Sequence, residues 1–333
     1  MATIKDIAKM AGVSAMTVSN YLNGRANKLS EETAQKIAEC IRRTGYTPNM
    51  YARSLVSNSS KVVTYIKIEN ESTDRIPLSD PFTALFLDSL EKSLSEIGYY
   101  LMLKVIASAS DLTDFLGKWK VDGIVTVGLC DRQILNVLAE SGIPVVLIDS
   151  YLLHERFVSI RIDDFSGAKM ATEHLIHRGH KKVAAVAPSF RENSLNLVRL
   201  SGCRAAMKEA GISFSEALSY ACDQCSITTI AGQILKSDAT AVFAFSDRLA
   251  AELIREFHLA GKSVPEDISV IGFDDISLAS LITPELTTIR QDTVEKGRIA
   301  AESITKMLVE SEHNLSEIIM PVELIERKSV RKI

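Results

Sequence analysis

The sequence predicts an α/β protein: a small all-α helix-turn-helix domain followed by two lobes, each a doubly wound parallel sheet. Three observations predict it. The first 46 residues carry short apolar stripes at helical spacing, each cut by a glycine. From residue 61 onward, apolar runs of strand length alternate with helical patterns. Finally, 333 residues are more than one hydrophobic core accommodates, so several compact units are required.

The helical part reads residue by residue. Thr3 is a good N-cap, Ile4, Ile7, Ala8 and Ala11 share a face, and Gly12 ends the helix. A second helix opens at Ser14, with Thr17 at its third position and Val18, Tyr21 and Leu22 on one side, and stops at Asn23-Gly24. A third begins at Ser30, places Glu31 and Glu32 at its positive end, buries Ile37 and Ile41, and closes at Gly45. Two short helices joined through a glycine make a helix-turn-helix, although the same three helices also describe a plain bundle.

Residue types tip that balance toward DNA. The N-terminal part of the second helix is the part that meets base edges, and here it carries Ala15, Met16 and, a turn later, Asn20. Asn pairs with adenine through two hydrogen bonds, and Ala and Met suit a thymine methyl. Ser14, Thr17, Ser19, Asn23 and Ser30 are short polar side chains of the kind that hold phosphates. Residues 1–60 hold eight Lys/Arg against four Asp/Glu, whereas the remainder holds 30 against 38. The basic part is the one suited to a polyanion.

Seven strands are expected in the larger part: VVTYIKI, LMLKVI, GIVTVG, PVVLID, KVAAVAP, TAVFAFS and ISVIGFD. Helices over 82–98 and 247–260 close at Gly98 and Gly261. In such sheets ligands bind beyond the carboxyl ends of strands, which singles out Asp149 after VVLI and Asp274 after VIGF. An Asp after a strand equally often caps the next helix.

Composition excludes several classes. Apolar residues make up 46% and charged residues 24%, which is ordinary for a globular chain. No run approaches the ~20 apolar residues of a membrane span, and MATIKDIAKMAGVSAM offers no secretory signal, so a cytoplasmic location is expected. Five scattered cysteines argue for reduced thiols, and Cys222 and Cys225 lack a second pair that would complete a zinc site. His174, His177 and His180 suit packing and helix capping better than a metal. GxSxG, a phosphate loop, HExxH and GxGxxG are all missing, so neither an enzyme, a cofactor nor a metal is expected.

IKDIAKMAGVSAMTVSNYLNG followed by GYTPNMYARSL resembles the lactose and galactose repressor family, and GIPVVLIDS, DDFSGAKMATEHLIHRGH, TAVFAFSDRLA, VPEDISVIGFDD and TPELTTIRQD extend the resemblance over nearly the whole chain. It implies a periplasmic-binding-protein-like second domain and a regulator, most simply a repressor, whose affinity for a pseudo-palindromic operator is set by a small polar effector such as a sugar or nucleoside. The implied organisation is 1–46 for DNA reading, 47–60 for a hinge helix and linker, 61–161 plus 292–320 for one lobe, and 162–291 plus 321–333 for the other. The resemblance further implies that the hinge folds only on operator DNA, and position matching assigns its minor-groove wedge to Leu55, with Ala52 beside it and Asn49 on the backbone. A helix that short is unstable alone, which fits folding on binding.

Carried over in the same way, the effector cleft is lined by Phe82, Asp149, Asp163, Arg199, Asp274 and Gln291, with Asp80 as a further candidate. An aromatic plate among carboxylates and an arginine suits a polyhydroxylated ring, since each hydroxyl both donates and accepts. ENESTDRIPLSDPFTAL lengthens the first strand-to-helix connection, and SFRENSLNLVRLSG lacks the family's more usual arginine-rich run, so effector identity transfers least. A homodimer is expected, because no leucine heptads follow the last strand to join dimers into a tetramer; nothing in the residues decides for or against a co-repressor protein. Two rival readings stand beside this one: a solute receptor, which would need an export signal, and a sugar- or nucleoside-processing enzyme, which leaves the basic N-terminal segment unexplained.

Overall fold

A computed structural model describes residues 2–22, 29–46, 59–69, 80–310 and 316–333. It separates into a unit of residues 1–61 and a unit of residues 62–333. The sequence assignments to Asn23, Asn49, Ala52 and Leu55, and the lengthened connection over 70–79, lie outside the described residues.

In the first unit, α1 spans Ile4–Ala11, α2 Ala15–Leu22 and α3 Glu31–Thr44. Thr3 and Asp6 cap α1 reciprocally, the Asp6 amide donating to Thr3 Oγ1 at 3.3 Å and the Thr3 amide to Asp6 Oδ2 at 2.8 Å. Ser14 and Ser30 accept from the Thr17 and Thr33 amides in the same manner. Ile7, Ala8, Val18, Ile37 and Cys40 are buried where the three helices meet. Ile41 is only partly buried, and Cys40 takes the place expected of it. Residues 40 and 41 both lie about one turn from 37, and of the two it is 40 that is buried in the junction.

The second unit holds two six-stranded sheets. Around the first sheet run β1 (Val62–Ile68), α4 (Pro81–Glu96), β2 (Tyr100–Ile106), α5 (Ala109–Lys118), β3 (Gly123–Val127), α6 (Arg132–Ser141), β4 (Val145–Ile148) and β5 (Val158–Ile162). The chain then crosses into α7 (Asp164–His177), β6 (Val183–Ala187), α8 (Leu195–Glu209), β7 (Ser219–Ala221), α9 (Ile227–Lys236), β8 (Ala241–Ala244), α10 (Asp247–Leu259), β9 (Ser269–Asp274), α11 (Leu278–Leu281) and β10 (Thr287–Arg290). It returns through α12 (Thr293–Glu310) to β11 (Ser316–Met320) and crosses once more to β12 (Glu323–Ile325).

The strand orders are β11-β5-β4-β3-β1-β2 and β12-β10-β9-β8-β6-β7. Every pairing is parallel except β10 with β12. All seven expected strands are present, and β5, β7, β10, β11 and β12 are additional. Central strands such as β4 and β6 are buried throughout, as parallel strands covered on both faces must be. One apolar cluster joins the lobes, running from Val63 and Phe86 to Phe243 and Phe273. The three crossings therefore pass beside a continuous core.

Candidate functional site

Between the lobes lies a cavity of about 580 Å³. Asp80, Phe82, Asp149, Arg199, Asp274 and Gln291 all line it. Asp163 does not: its carboxylate accepts from the Ser166 amide at 2.9 Å and caps α7. Its neighbour Asp164 is the buried one and pairs with Arg199. In the Asp-Asp pair opening α7, the first residue caps the helix and the second, outside the cavity lining, holds Arg199.

Strand ends supply the acids. Asp149 follows β4 with φ +50°, and Asp274 ends β9 with φ +110°, both in left-handed backbone that Asp enters more readily than most residues. Asp80 faces the cavity while also capping α4, accepting from the Thr83 amide at 3.2 Å. Phe82, a residue into the same helix, turns its ring toward the cavity with the Lys296 ammonium 5.4 Å from its centre.

Arg199 is almost fully buried on α8. It donates to Asp164 Oδ1 at 2.7 Å and to the Phe245 carbonyl at 2.5 Å, stacks 3.5 Å above the Phe273 ring, and lies 3.9 Å from Asp274 Oδ1. The Tyr151 hydroxyl donates to the other Asp164 oxygen at 2.9 Å. Arg199 is therefore a structural hub as well as a cavity wall, because its loss would leave Asp164 buried without a cation.

Lys296 was not legible as a site residue. It is fully buried on α12 and donates to both Asp149 oxygens at 2.8 and 2.9 Å and to Gln291 Oε1 at 2.5 Å. Gln291 passes the interaction on, donating from Nε2 to Asp274 Oδ1 at 2.6 Å. The available signal was a lysine on the otherwise apolar stripe of Ala300, Ile304 and Met307. Asn196, also missed, lines the cavity with its amide held by the Ser189 carbonyl at 2.9 Å.

Burial shapes the titration of these acids. The Asp274 carboxyl is pushed up to about 7 by burial, against the pull of Arg199, Gln291 and Lys296. Burial also raises Asp164, opposed by Arg199, and holds Asp247 well above the usual carboxylate range. The site thus gathers carboxyl groups that accept hydrogen bonds beside one, Asp274, that can also donate when protonated. Hydroxyl and amine groups are bound by that chemistry.

In the first unit, Ser14, Ala15 and Met16 are exposed at the start of α2, Met16 at 70%. Thr17, Ser19 and Asn20 are half-buried, and Ser14 and Ser30 serve as helix caps. Among the described residues no helix is long and apolar enough to cross a membrane.

A helix-turn-helix followed by a two-lobed domain with a cavity between its lobes defines the class of ligand-responsive DNA-binding regulators. Residues 3–49 match the model of bacterial regulatory proteins of the lacI family, and residues 172–330 match the periplasmic binding protein-like domain. The transcriptional repressor PurR of Photobacterium profundum is 33% identical over 347 aligned positions, covering 100% of both chains. PurR of Histophilus somni is also 33% identical over 100% of both. Among solved structures, a CelR–cellobiose complex shares 27% identity at a TM-score of 0.73, covering 99% of this chain and 100% of that one. A lac repressor dimer bound to operator and the anti-inducer ONPF shares the fold at a TM-score of 0.84 and 22% identity, covering 99% of each. The chain belongs to the lacI family of bacterial regulatory proteins. It is a transcriptional repressor with a DNA-binding helix-turn-helix and a ligand-binding domain; its relatives are repressors and not enzymes.

Proposed function

We propose that the repressor works in the cytoplasm as a homodimer on a pseudo-palindromic operator, and that a neutral polar ligand carrying several hydroxyls, a sugar or nucleoside, controls it from the cavity between the lobes. The observation that carries the ligand class is the cavity lining, where aromatic Phe82 shares one cavity with an acid from each lobe, Asp149 and Asp274. A volume of about 580 Å³ lies within the ~300–1,000 Å³ usual for small-molecule sites. Two relatives support the class by what they hold: cellobiose in the CelR complex, and ribose in a lacI-family regulator of Enterococcus faecium that is 28% identical at a TM-score of 0.69, covering 81% of this chain and 99% of that one.

On DNA, Ala15, Met16 and Asn20 meet base edges in each half-site, and Ser14, Thr17, Ser19, Asn23, Ser30 and Asn49 hold the backbone. Leu55, with Ala52, wedges at the centre once the hinge has folded, and dimer symmetry places the half-sites about one helical turn apart.

The test is selection of bound sequences from random DNA by the purified chain at stated salt, followed by competition with cellobiose, ribose, adenosine and related compounds. Enrichment of a palindrome whose binding shifts with one of these ligands is expected. Binding that only tracks ionic strength would remove the operator reading. A palindrome indifferent to every hydroxyl-rich ligand would remove the ligand class.

A further inference from the structure

Seven side chains form a circuit that leaves the first lobe and comes back to it. It runs from Asp149 to Lys296, Gln291, Asp274, Arg199, Asp164 and Tyr151. Its two ends are two residues apart in the chain after β4, while Asp274 and Arg199 belong to the second lobe. The circuit uses two of the three crossings, Asp164 just after the first and Gln291 at the second. Orientation within it is forced: an ammonium only donates and the Asp274 oxygen accepts, so Gln291 must turn its carbonyl to Lys296 and its amide to Asp274.

We infer that Lys296 is a positioning residue for the effector cavity, orienting Gln291 so that the Gln291 amide fixes the Asp274 carboxyl on the opposite lobe. The inference rests on reading this cavity as the effector site. Lys296 is not itself among the lining residues; it stands behind Asp149 and Phe82 and acts through what it holds. Without it, Gln291 loses the partner that sets its rotamer, and the side-chain link between lobes through 291 opens. The Asp149 carboxylate would at the same time lose the cation that binds both its oxygens.

Asp274 reports on this link. The groups facing it are Arg199 on α8, Gln291, Lys296 on α12, Asp80 at the cap of α4, and Asp247 on α10, with Asp275 next in the chain and itself engaged by Arg290 and Arg327. Lys296 and Gln291 both favour the ionised form of Asp274, which titrates near 7. If Lys296 acts by holding Gln291, removing either residue removes largely the same stabilisation, and removing both adds little. If it acts only as a charge across space, the two effects add.

The experiment is a carboxyl ¹³C NMR titration of the full chain labelled at aspartate, with Asp274→Asn identifying the resonance. In Lys296→Met and in Gln291→Leu the Asp274 midpoint is expected to rise by roughly one pH unit each, and in the double variant by little more than in either. Lys296→Arg, which keeps a donor and a charge, should restore part of the shift. An unmoved midpoint in Lys296→Met, or a double variant equal to the sum of the singles, overturns the inference. Should Lys296→Met not fold, it is combined with Asp149→Asn, so that no buried carboxylate is left without its cation, and the Gln291→Leu comparison is repeated in that double variant. No ligand is needed, so failure of the sugar and nucleoside panel would count against the effector class and leave this result standing.

Discussion

Asp274 concentrates the tension of the site in one carboxyl. It ends β9 in left-handed backbone, lies among other acids, and titrates near 7 when the unperturbed value is 3.8. Because the folded value lies above the unfolded one, the native state binds more protons than the unfolded chain between about pH 4 and 7. Stability contributed by the neutral form is thus present on the acid side of this window and is lost as pH rises through it. Over three pH units this amounts to a few kcal/mol, with about 4 as the upper bound. Asp274→Asn keeps an oxygen to accept from Gln291 and cannot ionise. It is expected to flatten the decline in urea midpoint between pH 5 and 7.5 and to gain stability at the upper end. A decline as steep as wild type's would place the titrating group elsewhere, with Asp247 the next residue to substitute.

Among elements, a close constraint lies where α7 packs on α8, the helices that carry Asp164 and Arg199. A Cβ added at Gly202 would lie 2.3 Å from the Phe165 carbonyl and 3.0 Å from the Lys169 amide, backbone atoms that cannot swing aside. Gly202→Ala should therefore force the helices apart, costing on the order of 1–3 kcal/mol in urea unfolding and loosening the Arg199–Asp164 bond at 2.7 Å. Wild-type stability in that variant would mean that the crossing yields more easily than packed helices do. The same scale explains what the sequence disclosed. Helix starts were legible at Thr3, Ser14 and Ser30 because a cap is local chemistry, and the seven long apolar strands were legible because buried parallel strands are continuous runs. The strands β7 and β12, three residues each, were not, since so short a run has no periodicity and is held by the neighbour it pairs with. In the site, Asp149 and Asp274 were legible from the rule for strand ends. Lys296 was not, because the partner that makes a buried lysine tolerable lies 147 residues away in the chain. The choice between Asp163 and Asp164 turned on one residue of helix phase, which pattern does not resolve.

For the whole molecule, the proposed function requires that a ligand in the cavity between the lobes influence operator binding by the helix-turn-helix. A ligand acts only through a difference in its affinity for two states, and the coupling must run equally in both directions. Under the proposed mechanism the states differ in whether the hinge segments of a dimer meet and fold around Leu55. Coupling of this kind is typically about 1–3 kcal/mol, so an effector should change operator affinity by roughly 5- to 150-fold, and saturating operator should change effector affinity by the same factor. Leu55→Ser removes the apolar wedge and leaves every residue lining the cavity in place. It should weaken operator binding, leave effector affinity of the DNA-free protein at the wild-type value, and shrink the reciprocal factor toward one. Calorimetric titration of whichever sugar or nucleoside the panel identifies, with and without operator and for both chains, gives all four affinities. Equal loss of operator and effector affinity in Leu55→Ser would show that residue 55 supports the fold instead of wedging DNA. A full reciprocal factor in the variant would move the coupling away from the hinge and onto the relative placement of the two helix-turn-helix units.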